Sequence, residues 1–135
     1  MMRDDLMVQQ QVDNVWQHMV GVICLNCTNR KQVKRVLPPL FATAPTPIHF
    51  LNTPENTIKT IIESLGMVNV RYKRLKRMSK EFLTWDGKDA TILYRIGKYG
   101  SDSYRLFYKR EVPDNVGDHE LKRYVEEEFY DLHTN

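Results

Sequence analysis

Apolar residues recur along this chain at spacings of three and four, the pattern of helices that bury one face, and nowhere in the strict alternation of a strand. Residues 3–11 suit a short helix. Asp13 or Asn14 can cap a second from Val15 to about Cys27, and its run VWQHMVGVICLNC is apolar on more than one face, which predicts a central buried helix. A third starts near Asn29 with Arg30, Lys31, Lys34 and Arg35 outward. Pro38 and Pro39 are expected to end, kink or restart it, since each lacks an N–H and crowds the preceding turn. The Pro45–Pro47 loop leads to the best delimited helix, with Thr53 as N-cap, Pro54 in its first turn, Ile58, Ile61, Ile62 and Leu65 as its stripe, and Gly66 beyond its end. From about Asn69 to Leu83 a longer helix sets Val70, Leu75, Met78 and Phe82 inward, with Arg71, Lys73, Arg74, Lys76, Arg77 and Lys80 elsewhere. Asp86-Gly87 marks a turn, and Asp118 opens a last helix with Leu121, Tyr124, Val125, Phe129 and Leu132 inward. The expectation is an all-α single domain over residues 1–135, of roughly eight helices in two lobes.

At 135 residues with 41% hydrophobic positions, the chain can bury a real core. No apolar run approaches the roughly 20 residues that span a bilayer, and MMRDDLMVQQQ lacks the apolar centre of a signal peptide. A reducing compartment and no membrane partner are expected. The net charge of +3 hides an uneven distribution: twelve basic against four acidic residues between Asn69 and Arg110, then two against eight from Glu111 to Asn135. The basic segment suits a nucleic-acid face and equally a merely solvated one; the acidic segment reads as a solvated helix face.

Between Leu93 and Asp118 lies the densest candidate chemistry: LYRIGKYGSDSYRLFYKREVPDNVGD. A helix end, a tight turn on Gly97 and Gly100 with Lys98 between them, and a second helix from about Ser101 to Lys109 make a helix-hairpin-helix over about 89–110. Glycines so close permit positive φ and close approach. A helix start after them offers free N–H groups to an anion such as a DNA phosphate.

IGKYGSDSYR, with Asp118 of GDHELKRY nineteen positions after Tyr99, resembles the helix-hairpin-helix glycosylase superfamily of base-excision repair. Within it the likeness is to the thymine/uracil mismatch glycosylase domains of methyl-CpG-binding repair proteins. MVQQ, a Trp ahead of a helix ending in LNCT, and SLGMVNVRYK fall in the same order, so the resemblance runs from about Met7 to His133. It implies double-stranded DNA bearing a mismatched base as partner, no cofactor, a monomer and a nuclear location. Asp118 would be the catalytic carboxylate, stabilising positive charge on the deoxyribose as the base departs and helping water attack; from the residues alone it is an ordinary N-cap. Tyr99 stands where bifunctional relatives such as endonuclease III have a lysine, and a phenol forms no Schiff base. A monofunctional enzyme is therefore implied, with Tyr99 lining the base pocket. Gln9, beside Gln10 and Gln11, matches the glutamine that reads the flipped pyrimidine. Met67 takes the wedge position and is equally suited to fill a core gap. Gly97, Lys98, Gly100, Ser101, Asn26 and Arg71 fall on the DNA side.

Three positions depart from the family's pattern. Cys27, on the DNA side, replaces a void-filling arginine after Leu-Asn; Arg95 replaces the hairpin's first glycine, crowding the turn while adding a phosphate contact to the DNA side; and Glu120 replaces a lysine two places after the aspartate. These bear on activity and leave the fold untouched. Cys24 and Cys27 read as buried packing, since a closed structural zinc or an iron–sulfur cluster needs four ligands and the chain holds two cysteines. His18, His49, His119 and His133 show no ligand spacing, and Ser101 and Ser103 read as a helix cap and a packed residue. The rival readings are a helix-hairpin-helix module that binds DNA without catalysis and a protein-interaction domain.

Overall fold

A computed structural model describes residues 12–26 and 28–111. The expected N-terminal helix and the last helix from Asp118 lie outside these residues. All regular structure among them is helical: α1 (Val15–Leu25), α2 (Arg30–Thr43), α3 (Pro47–Asn52), α4 (Glu55–Ile62), α5 (Val68–Phe82) and α6 (Lys98–Tyr104). Short 3-10 turns at Glu63–Leu65 and Ala90–Ile92 precede α5 and α6, and α6 widens into a π-helical turn over Arg105–Lys109.

The core is built on α1. Asn14 caps it, its side chain accepting from the Gln17 N–H at 2.9 Å. Every residue from Trp16 to Cys24 is then buried, as a helix apolar all round requires. It packs against α2, α5 and α6. Trp16 meets Phe41 and Phe50 edge-on near 6 Å, and its indole donates to Ser79 on α5 at 2.9 Å.

Three expectations are corrected. Pro38 and Pro39 neither end nor restart α2, which runs through both. Buried Val33, Val36, Leu37 and Leu40 hold both halves against α1 and α4, while both prolines face solvent, where water is at hand for the carbonyls a proline cannot reach. Thr53 does not cap α4: its hydroxyl donates back to the His49 carbonyl and closes α3, and Pro54 alone precedes the first turn of α4. The face of α5 is rotated from that expected, with Val70 41% exposed and Arg71 2% exposed. Tyr72, Leu75, Met78 and Ser79 complete its buried stripe.

Where α1 meets α6, the buried His18 ring lies with Nε2 2.8 Å from Ser103 Oγ, between Phe107 and Tyr108. Ser103 donates its hydroxyl proton to the Gly100 carbonyl at 3.0 Å. The network therefore assigns the proton to Nε2 and leaves Nδ1 bare. Nδ1 has no hydrogen-bond partner among the described residues, and burial lowers the His18 pKa from 6.5 to about 3. Below pH 6.5 the unfolded chain takes up a proton the folded chain refuses, so this group removes stability progressively from pH 6.5 down to 3 and contributes no slope above. At pH 5 the loss is about 2 kcal/mol. Urea unfolding at pH 7.5 and 5 should show a shallower pH dependence in His18→Gln by that amount; an identical slope in the variant would mean that His18 protonates freely in the folded state.

Candidate nucleic-acid interface

Glu81 on α5 fixes the approach to α6. Its carboxylate accepts the Tyr94 N–H at 2.6 Å, and Arg77 lies 3.5 Å from the same carboxylate with its guanidinium 4.0 Å over the Tyr94 ring. Leu93 and Ile96 go into the core on either side, each 2% exposed. The chain must reverse between them, and Arg95 takes φ +65° to do it, exposed to solvent. The position read as a missing glycine is thus the one that needs left-handed backbone, and an arginine supplies it at a cost of about 1–2 kcal/mol.

Gly97 and Gly100 serve other purposes than the expected turn, and neither has positive φ. Gly97 is the extended N-cap of α6, its carbonyl accepting the Ser101 N–H at 2.9 Å. The helix therefore starts at Lys98, three residues before the Ser101 expected from sequence, and Ser101 is half-buried within it rather than its cap. Gly100 lies inside the helix against α1. A Cβ there would stand 2.7 Å from Ile96 Cγ2 and 3.1 Å from Val22 Cγ1, so the missing side chain is what lets α6 lie on α1. The first helix of the hairpin is reduced to the turn Ala90–Ile92, started by Asp89, whose carboxylate accepts the Thr91 N–H at 3.0 Å.

The first turn of α6 presents Gly97 and Lys98 to solvent and Tyr99 half-buried. Lys98 Nζ pairs with Asp102 Oδ2 at 2.6 Å, the lysine 58% exposed and the aspartate 9%. An ammonium at the positive end of a helix dipole does little for the helix and suits an approaching anion. Asp102 holds it in place meanwhile.

A second patch forms where α1 ends. Asn26 is the C-cap of α1 and exposed. Gly66 and Met67 take consecutive positive φ angles of 78° and 48°, which turn the chain into α5 and leave Met67 56% exposed. The wedge candidate therefore stands in solvent rather than filling a gap. Arg71, expected among the cations facing DNA, is buried instead: its Nε donates to the Gly66 carbonyl at 2.9 Å and its Nη1 to those of Asn26 at 2.8 Å and Cys24 at 3.4 Å. The exposed cations of α5 are Lys73, Arg77 and Lys80, on one stripe.

The two patches share one support. Val22, against Gly100, lies four residues before Asn26, and at 1.5 Å per residue the α6 turn and the Asn26–Met67 patch are offset by only about 6 Å along α1. Gln9, Cys27, Asp118, His119 and Glu120 lie outside the described residues. Sequence reasoning missed Glu81, His18 and the inward turn of Arg71. A histidine in a helix apolar all round signals a buried partner, whereas nothing in the basic run distinguishes Arg71 from its neighbours.

Burial pushes the Cys24 thiol up to about 12 despite the nearby Arg71 charge, which leaves no thiolate to ligate or attack. Among the described residues no group of His, Cys, Asp or Glu could hold a metal ion, and no helix is long and apolar enough to cross a membrane.

Compared with known proteins, residues 20–130 match the family model of the HhH-GPD superfamily base excision DNA repair proteins. A methyl-CpG-binding domain protein 4-like protein of Arabidopsis thaliana is 28% identical over 103 residues, covering 76% of this chain; the aligned region is 23% of that relative's length.

The two hairpin positions respond oppositely to reciprocal substitutions. Gly100→Ala drives a methyl into Ile96 and Val22 and should cost about 1–3 kcal/mol, whereas Arg95→Gly relieves left-handed backbone and should gain about 1 kcal/mol. Chemical denaturation of both variants decides it, and a destabilised Arg95→Gly would show that the Arg95 side chain contributes more than its backbone costs.

Proposed function

The chain belongs to the HhH-GPD superfamily of base excision DNA repair proteins, and from that premise we propose that it is a monofunctional DNA glycosylase that hydrolyses the N-glycosidic bond of thymine or uracil opposite guanine. The observation that carries this reading is that the α6 first turn and the exposed Met67 turn both rest on the C-terminal half of α1, one at Val22 and the other at Asn26. One grips backbone and the other can enter a stack. Base excision needs both, because the target nucleotide must leave the duplex and something must hold the gap.

In the proposed reaction the Lys98 ammonium and the N-terminal N–H groups of α6 bind a phosphate beside the lesion, and Met67 wedges the stack. Tyr99, half-buried behind them, lines the pocket that receives the base, with Gln9 reading its edge. The C1′–N bond breaks with its electron pair leaving on the base, and the deoxyribose becomes an oxocarbenium ion. The Asp118 carboxylate stabilises that cation, orients the water whose oxygen bonds to C1′ and takes up the water's proton, which passes to the departed base anion and leaves a neutral base and an abasic site. Tyr99 offers no amine, so no Schiff base forms and the strand stays intact. The methyl-CpG of the relative's name supports the mismatch preference, since deamination of a methylated cytosine leaves thymine opposite guanine.

Two observations favour a second reading, a module that binds duplex DNA without turnover: an arginine with left-handed backbone where the family's hairpin has glycine, and a Lys98 already paired with Asp102. Single-turnover base release from a duplex with one G·T or G·U mismatch separates the two. The wild type should give alkali-labile sites, and Asp118→Asn should lose at least about 100-fold in rate while keeping its affinity. Borohydride should trap no adduct with the wild type. Duplex binding without release by the wild type would establish the second reading.

A further inference from the structure

The buried guanidinium of Arg71 links the two parts of the surface that would meet an opened base pair. Its Nε–H donates to the Gly66 carbonyl at 2.9 Å and closes the Gly66–Met67 turn, while its Nη1 donates to the carbonyls of Asn26 and Cys24 at the end of α1. The guanidinium is planar and its donors point in fixed directions, so carbonyls on two separate loops are held to one rigid plate. Charge also suits the place, since the carbonyl end of α1 is the negative end of its dipole. The side chain is 2% exposed, which rules it out as a surface cation, yet the next residues along that turn are exposed: Met67 at 56% and Val70 at 41%.

We infer that Arg71 is a positioning residue that couples the Met67 wedge to the Asn26 loop, so that the two move against the duplex as one body. This rests on the reading that Met67 enters the DNA stack. Gly66 supports it from the backbone side: φ 78° with ψ 169° is accessible in practice to glycine alone, so the carbonyl that Arg71 grips can be aimed that way only at this position. An apolar side chain on left-handed backbone is held outward by a charge it never touches. Lysine at position 71 would keep the charge, but its ammonium is a single point that cannot lie along both directions of the fork.

The test is the fluorescence of 2-aminopurine placed beside a G·U mismatch, which rises when the stack opens, read with wild type, Met67→Ala, Arg71→Lys and the double variant at saturating protein. Each single variant should reduce the rise about fivefold, and the double variant no further, because the second change removes a partner already uncoupled. A merely structural Arg71 gives the product of the two losses, or leaves the opening as in wild type; either result overturns the inference. Should Arg71→Lys fail to fold by circular dichroism, Gly66→Ala, whose methyl meets open space but whose backbone leaves φ 78° with ψ 169° and so turns the carbonyl off the Arg71 fork, must give the same loss and the same absence of further effect with Met67→Ala. A wild type that leaves the stack closed overturns the inference as well. Excision measured on the same duplex keeps the two proposals apart: opening without excision overturns the glycosylase reading and leaves the coupling standing.

Discussion

The burial of α1 is the constraint on which the rest depends. The nine residues from Trp16 to Cys24 have no outward face and can be satisfied only if other helices enclose them, and α2, α5 and α6 do so. Each large apolar side chain so buried contributes about 1.5–3 kcal/mol, and the polar side chains on the same helix must then be met from neighbouring elements. Gln17 donates to the Pro45 carbonyl, His18 meets Ser103, and the indole of Trp16 reaches Ser79. The helix that binds nothing itself thereby fixes α6 at its middle and the Met67 turn at its end.

Much of this was legible in the residues. Periodicity and caps gave α1 and α5 to within a residue or two, and the all-round apolar character of VWQHMVGVIC pointed to its central place. The family was legible too, through the order of motifs. What stayed hidden were facts that depend on neighbours. Two prolines in α2 read locally as an end, kink or restart, and only the stripe of Val33, Val36, Leu37 and Leu40 shows why the helix continues past them. Gly100 read as a turn residue because a glycine's two uses, conformational freedom and absence of bulk, look alike in sequence; Val22, seventy-eight positions earlier, decides between them. Arg71 was one of six cations in α5 with nothing local to mark it as the buried one.

The electrostatics follow the same logic. A run of basic residues suggests a uniform field, but its members do different work. Arg71 is consumed by carbonyls; Arg77 and Lys98 stay exposed but are held, by Glu81 with the Tyr94 ring and by Asp102; and Lys73 and Lys80 stand exposed. The arrangement resembles that of a protein that grips a backbone at a few set points more than one that coats it.

Backbone strain points to the same surface from an independent direction. Among the described residues three positions other than glycine take positive φ: Met67, Arg95 and Arg110. Left-handed backbone at such residues persists only where the surroundings over-determine it. Around Met67 the determinants are Gly66 before it and the Arg71 fork across from it. Around Arg95 they are buried Leu93 and Ile96, with the Tyr94 N–H held by Glu81. A glycine would be easier at either place, and what it would lack is a side chain: an apolar one at the turn beside the end of α1, a cationic one beside the start of α6. Both side chains stand in solvent in the free protein and make no contribution to the core. Arg95 keeps only a distant contact with the Tyr94 ring, 5.9 Å from its centroid, so among the described residues little of the strain at either turn is returned by the exposed side chains themselves, and under the proposed function a bound duplex returns the rest.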